Sequence, residues 1–222
     1  MTTKNKTLVN VRTVEFGRAV FNILAVLSHM LENGTNDNSA WYTIEGEKLS
    51  QVALELGYSP EVYISAIACF SPSIRWDKNT SEVLRMAQMV NNGATLQEVL
   101  SARFMGYPAN VRKAFEILKT GDSSILSGQK VTRFRDNLLG HESTVTIDRH
   151  ACNVAINGMW CGASGELIPT AAMYTQLSKA YSVAAKIAFV MYGCNFTASS
   201  VQAITWGFVS ANASNHNTKE NA

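Results

Sequence analysis

Residues 126–134 read L-S-G-Q-K-V-T-R-F, and residues 145–155 read V-T-I-D-R-H-A-C-N-V-A. In the first segment Gly128 interrupts the chain, and the apolar residues that follow recur at helical spacing, which predicts a helix over Lys130–Leu138. In the second segment Asp148 precedes an apolar helical run, which is a favoured N-cap position. Together they predict a glycine turn, a helix, a loop and a second, capped helix.

The same helical periodicity extends over nearly the whole chain, and almost no segment alternates with period two. We therefore predict an all-α protein. The other predicted helices cover residues 12–31, 45–56, 61–70, 80–90, 95–105, 108–118, 173–192 and 199–208. We expect these helices to form one compact domain over residues 1–211. One arrangement of this domain has two lobes with a cleft between them. Residues 212–222 form a polar tail that we expect to be mobile.

The composition is that of a globular protein, with 46% hydrophobic and 16% charged residues. No segment reaches the roughly 18 apolar residues of a membrane-spanning helix, and the first residues lack the apolar core of a secretory signal. The four cysteines include no C-x-x-C pair, so neither a disulfide framework nor a zinc or iron–sulfur site is predicted. We expect a cytoplasmic monomer with no metal, no cofactor and no membrane partner.

The charge is unevenly distributed along the chain. Residues 103–135 contain seven basic and two acidic residues, a net charge of +5, whereas the rest of the chain sums to −3. This segment is typical either of a phosphate-binding surface or of an ordinary solvated helix face, and the charges alone leave both open.

The order of these features resembles the helix-hairpin-helix DNA glycosylases, in particular the endonuclease III-like branch. That branch has a glycine-containing hairpin, a lysine at the start of the next helix and then an apolar-Asp-x-His-apolar segment. Its lysine and aspartate are 18 residues apart, as are Lys130 and Asp148 (148 − 130). Residues 106–114 look similar to the family's helix before the hairpin, and residues 67–77 to the helix end that borders its base pocket. The resemblance covers residues 61–155.

The sequence also departs from this family. Only the second hairpin glycine is kept, the cysteine cluster of the iron–sulfur branch is absent, and Ser73 stands where the pocket helix usually has glutamine. These losses fit a diverged member, of the kind that bacteriophages carry.

The resemblance implies roles for two side chains. Cleavage of an N-glycosidic bond develops positive charge on the deoxyribose, which the carboxylate of Asp148 would stabilise. The neutral amine of Lys130 would attack the same carbon and form a Schiff base, after which elimination breaks the strand. Because Asp148 is also a favoured N-cap, a capping role and a catalytic role are both open for it.

The resemblance also implies roles for other residues, in less detail. Backbone N–H groups at the glycine turn would bind a DNA phosphate, with cations one turn further on. This DNA-binding set is Gly128, Gln129, Arg133 and Arg135. The candidates for the base pocket or for the wedge that opens the duplex are Ser73, Arg75, Trp76 and Tyr107. His150 would orient the segment that follows Asp148.

The sequence thus predicts a DNA glycosylase with AP-lyase activity that flips out and removes a damaged or modified base. Its partner would be double-stranded DNA, and the bound protein would be associated with the nucleoid. The alternative is a non-catalytic or base-modifying DNA-binding protein on the same scaffold, and a helical protein with no DNA role is a third interpretation.

Overall fold

The computed structural model describes residues 15–34, 37–72, 74–160 and 169–219, and every regular element in these ranges is helical. The α-helices are α1 Phe16–Glu32, α2 Trp41–Glu55, α3 Pro60–Phe70, α4 Trp76–Asn91, α5 Leu96–Ser101, α6 Pro108–Thr120, α7 Gln129–Leu138, α8 Arg149–Asn157, α9 Ala171–Tyr192 and α10 Ala198–Lys219. Short 3₁₀ turns cover Asp37–Ala40, Ser123–Ile125 and Gly158–Trp160. The predicted all-α class is confirmed for the described residues.

The chain forms two compact units. Residues Met1–Tyr42 and Glu142–Ala222 belong to one, which we name the terminal unit, and Thr43–His141 form the other, which we name the inserted unit. Lys130 therefore belongs to the inserted unit and Asp148 to the terminal unit.

The core of the terminal unit is built around α1, which packs against α8, α9 and α10. One face of α1 is fully buried, as its helical spacing predicts, at Ala19, Ile23, Val26 and Leu27. The same helix buries Asn22, whose Nδ2 donates to the carbonyl oxygens of Ala155 and Ile156 at 3.0 and 2.8 Å. These bonds satisfy carbonyls at the C-terminal end of α8.

The core of the inserted unit is α3, which is buried at nine consecutive residues, Val62–Phe70. It starts as its sequence predicts, because Pro60 stands in the first turn and the Ser59 hydroxyl accepts from the Val62 N–H. Helices α4, α6 and α7 pack against it. In the same unit Gly46 of α2 lies so close to the Leu138 carbonyl, at the end of α7, that a Cβ at this position would clash with it.

Several predicted helices have different bounds in the structure, since α2 and α4 each begin four residues before the predicted starts at residues 45 and 80. The helix predicted over 95–105 ends at Ser101, and Arg103 then takes φ +52°. Tertiary contacts stop it, because Arg85 donates to the Ala102 carbonyl and its guanidinium lies 3.9 Å from the centre of the Phe104 ring.

The last helix, predicted over 199–208, runs from Ala198 to Lys219. No proline follows Phe208 to stop it. The helix therefore includes most of the predicted polar tail, of which residues 220–222 lie outside the described residues. The first helix begins at Phe16, and the predicted start at residue 12 also lies outside them.

Candidate active site

A helix, a hairpin turn and a second helix carry the lysine predicted to be the nucleophile. Helix α6 ends at Thr120, and Gly121 follows in the left-handed conformation at φ +75°. After the 3₁₀ turn the buried Leu126 anchors the chain, and Gly128 precedes α7 at φ +110°, where a residue with a side chain would be strained. The predicted glycine turn is therefore confirmed.

A recess of about 310 Å³ lies against this hairpin in the inserted unit. Its lining comes from the end of α3 and the loop after it (Cys69 and Pro72), the first two turns of α6 (Asn110 and Lys113), and residues 126–131 of the hairpin and α7. Three residues of the predicted DNA-binding and catalytic sets, Gly128, Gln129 and Lys130, thus line one recess.

Lys130 is half-buried in this recess. Its Nζ donates to Ser71 Oγ at 3.0 Å and lies 5.6 Å from the centre of the Phe134 ring on the next turn of α7. A primary amine in this position, partly shielded from water and bordered by an open recess, is suited to attack an electrophilic carbon that enters it.

A second lysine lines the same recess. Lys113 Nζ donates to Ser127 Oγ, the residue before Gly128, at 2.6 Å. Burial raises the pKa of the neighbouring Cys69 thiol to about 12, and the positive charge of Lys113 opposes this shift. The thiol is therefore protonated near neutral pH, whereas the amine supplies positive charge to the recess.

The base-pocket candidates have separate environments. Trp76 packs edge-on against Phe134, with ring centres 5.9 Å apart, and its Nε1 donates to Glu45 Oε2 at 2.8 Å. Arg75 is exposed and pairs with Asp77 at 3.2 Å. Tyr107 is 58% exposed where it precedes the first turn of α6. Ser73 lies outside the described residues.

The two arginines of the predicted DNA-binding set pair with one carboxylate. Arg133 Nη1 lies 3.5 Å from Asp136 Oδ2, and Arg135 Nη2 lies 2.6 Å from Asp136 Oδ1. Their positive charge is therefore partly compensated within α7.

Asp148 caps α8 in the terminal unit, because its Oδ1 accepts from the Ala151 N–H at 2.8 Å. The capping role left open by the sequence is confirmed, and the catalytic role stays a prediction. The three preceding residues, Val145, Thr146 and Ile147, are buried. Tyr174 of α9 bridges them, since its hydroxyl accepts from the Ile147 N–H and donates to the Val145 carbonyl, both at 3.0 Å.

Buried polar groups surround this segment. Tyr42 donates to Gln202 Oε1 at 2.7 Å, and burial raises the pKa of its hydroxyl, to which the charge of Asp148 adds. Burial likewise raises the pKa of the Cys152 thiol to about 12, again with a contribution from Asp148. The negative charge of Asp148 therefore acts on two titratable groups in the core of the terminal unit.

His150, predicted to orient this segment, packs edge-on against Trp206 with ring centres 6.2 Å apart. Its Nε2 lies 3.4 Å from Arg149 Nε. Both contacts lie within the terminal unit.

Sequence reasoning missed Ser71, Lys113 and Tyr174 as site residues. Ser71 begins the S-P-S segment and Lys113 belongs to the R-K-A segment of α6, so both had a weak signal. Tyr174 had none, because it reaches its partners across more than 25 residues of sequence.

Among the described residues, no helix is long and apolar enough to cross a membrane. In the same part of the chain, no three His, Cys, Asp or Glu side chains are grouped so that they could hold a metal ion.

These features define an all-α protein of two compact units with a lysine-bearing hairpin recess. Residues 6–213 match the model described as "Family of unknown function (DUF7178)", and the chain belongs to this family. No curated protein and no solved structure matches the chain.

Proposed function

We propose that this protein is a DNA glycosylase with AP-lyase activity and that Lys130 is its nucleophile. The observation that carries the proposal is the position of Lys130, in the first turn of α7 directly after the glycine turn, with its side chain lining the recess. A lysine at a helix start can also be a hydrated surface charge with no catalytic role. Lys130 instead is half-buried and donates a hydrogen bond to Ser71, which favours an amine held at the recess.

The proposed reaction uses the two candidate residues in different roles. The neutral Lys130 amine attacks C1′ of the deoxyribose, the bond from C1′ to the base breaks, and the base leaves with a proton. The carboxylate of Asp148 stabilises the positive charge that develops on the sugar. Ring opening then gives a Schiff base, and loss of a C2′ proton eliminates the 3′ phosphate and cuts the strand.

Borohydride trapping on a duplex oligonucleotide with one abasic site tests the lysine directly. The Schiff base that the amine forms with the sugar aldehyde is reduced to a stable covalent adduct. We expect the wild type to be trapped and Lys130→Ala not to be. The matched control is Lys119→Ala, which removes an exposed lysine at the end of α6 that does not line the recess. Equal trapping of the wild type and Lys130→Ala would refute the nucleophile.

Asp148→Asn tests the glycosylase step on duplexes that carry individual base lesions. Asparagine caps a helix as well as aspartate does, so the fold should persist while the charge is lost. We expect base excision to disappear, and full excision by this variant would refute the glycosylase assignment. If the protein binds duplex DNA but forms no adduct, the remaining functions are monofunctional excision through Asp148 or binding alone.

A further inference from the structure

The basic residues of segment 103–135 differ in how their charge is compensated. Arg133 and Arg135 share Asp136 at 3.5 and 2.6 Å. Lys113 instead donates to the neutral hydroxyl of Ser127. No carboxylate of the described residues forms an ion pair with Lys113. Lys113 therefore presents a full positive charge, whereas the two arginines present a reduced one.

The position of Lys113 directs this charge to the hairpin. It lies in the second turn of α6, lines the recess together with Gly128 and Lys130, and contacts the residue that precedes the glycine turn. Cys69 lines the same recess, and the charge of Lys113 opposes the rise of its thiol pKa that burial causes. No carboxylate of α6 or α7 lines the recess, so an anion that enters it meets Lys113 before any of these carboxylates.

We propose that Lys113, rather than Arg133 or Arg135, is the cation with which this hairpin binds a backbone phosphate of duplex DNA. An ammonium group has three donor hydrogens, and the bond to Ser127 occupies one of them. A phosphate oxygen can therefore be bound without the loss of an ion pair, whereas recruitment of Arg135 would break its 2.6 Å ion pair with Asp136. This inference rests on the proposed function for its partner and names the residue that holds that partner.

Salt-dependent binding to an undamaged, fluorescein-labelled duplex tests the proposal by fluorescence anisotropy. Each neutralised phosphate contact contributes roughly 0.9 to the slope of log K against log salt concentration. We expect Lys113→Gln to reduce the magnitude of this slope by about that amount, and Lys113→Arg to restore it. Lys113→Met, which keeps the aliphatic stem, provides a second neutral variant should Lys113→Gln fold poorly.

Two matched variants control for the loss of one positive charge. Lys119→Gln changes the same helix about 9 Å further along its axis, six residues away, and Arg133→Gln changes α7. Both should leave the slope within error of the wild type. An unchanged slope in Lys113→Gln, or an equal decrease in the two controls, would overturn the proposal.

The outcomes separate this inference from the proposed function. If the wild type forms a borohydride adduct and Lys113→Gln keeps the wild-type slope, the inference fails and the proposed function stands. If the slope falls as expected but no adduct forms, Lys113 binds DNA and the lyase fails. Absence of salt-dependent duplex binding by the wild type would overturn both.

Discussion

Lys130 and Asp148 are held in different ways within their own units. The Lys130 amine lies at an open recess, where it donates to a serine hydroxyl and lies near an aromatic ring. Asp148 follows three buried residues, accepts a backbone N–H of its own helix, and belongs to a segment that Tyr174 bridges from α9. The lysine is thus held through its side chain, and the aspartate through the backbone on both sides of it.

This difference agrees with what the two proposed roles need. A nucleophile must leave its resting contacts to reach carbon, and a hydrogen bond to a hydroxyl, such as the one to Ser71, is given up at modest cost. A carboxylate that stabilises developing charge acts best when its direction is fixed before the reaction. We therefore expect substitutions near Lys130 to change the access to its amine and the packing around it. We expect substitutions near Asp148 to change how well the backbone of its segment is ordered.

The largest effect should come from Gly46→Ala, which breaks the support of the lysine helix. The new Cβ would clash with the carbonyl of Leu138, a backbone group at the end of α7 that cannot rotate away. We expect the free energy of unfolding to fall by about 3 kcal/mol or more, and trapping through Lys130 to fall with it. Urea denaturation followed by circular dichroism measures the first effect.

Gly17→Ala is the matched control for this change. Gly17 lies in α1 with no atom near the position of an added Cβ. Alanine there should leave the stability unchanged or raise it by up to about 1 kcal/mol, because it favours the helix. Equal destabilisation by both variants would contradict the close approach of Gly46 to the Leu138 carbonyl.

Tyr174→Phe should have an intermediate effect, on the segment that precedes Asp148. It removes the hydroxyl that satisfies the Ile147 N–H and the Val145 carbonyl, at a cost of about 1–3 kcal/mol. We expect the Ile147 amide to exchange its hydrogen faster, while trapping through Lys130 is retained.

Tyr181→Phe is the control on the same helix, because its hydroxyl donates to the Ala151 carbonyl within α8. It should leave the exchange of the Ile147 amide unchanged. If Tyr174→Phe leaves this amide as protected as in the wild type, the bridge does not hold the segment.

The smallest effect should be the change that Asp148→Asn makes to the stability at alkaline pH. Burial and the charge of Asp148 raise the pKa of the Cys152 thiol from 9.0 to about 12, so the folded protein keeps a proton that the unfolded chain loses. The contribution of this thiol to stability is therefore complete below pH 9 and decreases as the pH rises from 9 towards 12.

Asp148→Asn removes one cause of this raised pKa and should make the decrease shallower. Urea midpoints across this pH range measure it, with Cys152→Ala as the reference that lacks the thiol. An alkaline decrease that is identical in the wild type and Asp148→Asn would show that the carboxylate does not act on Cys152.

Local signals predicted the parts of the fold that depend on neighbouring residues. The proline start of α6, the glycine turn at Gly128 and the cap at Asp148 all follow from residues within one or two turns. The end of α5 could not be predicted, because Arg85 and Phe104 stop the helix through a contact between distant residues. Likewise, the sequence places Arg133 and Arg135 near Asp136 along the chain, but it does not indicate that both arginines pair with this carboxylate.

The proposed mechanism requires that the Lys130 amine, and no other, forms the Schiff base. Peptide mapping by mass spectrometry of the wild-type adduct, reduced with borohydride on an abasic duplex, tests this most directly. We expect the added sugar mass on the peptide containing Lys130 and on that lysine. A modification at Lys113, which lines the same recess, or at any other amine would contradict it.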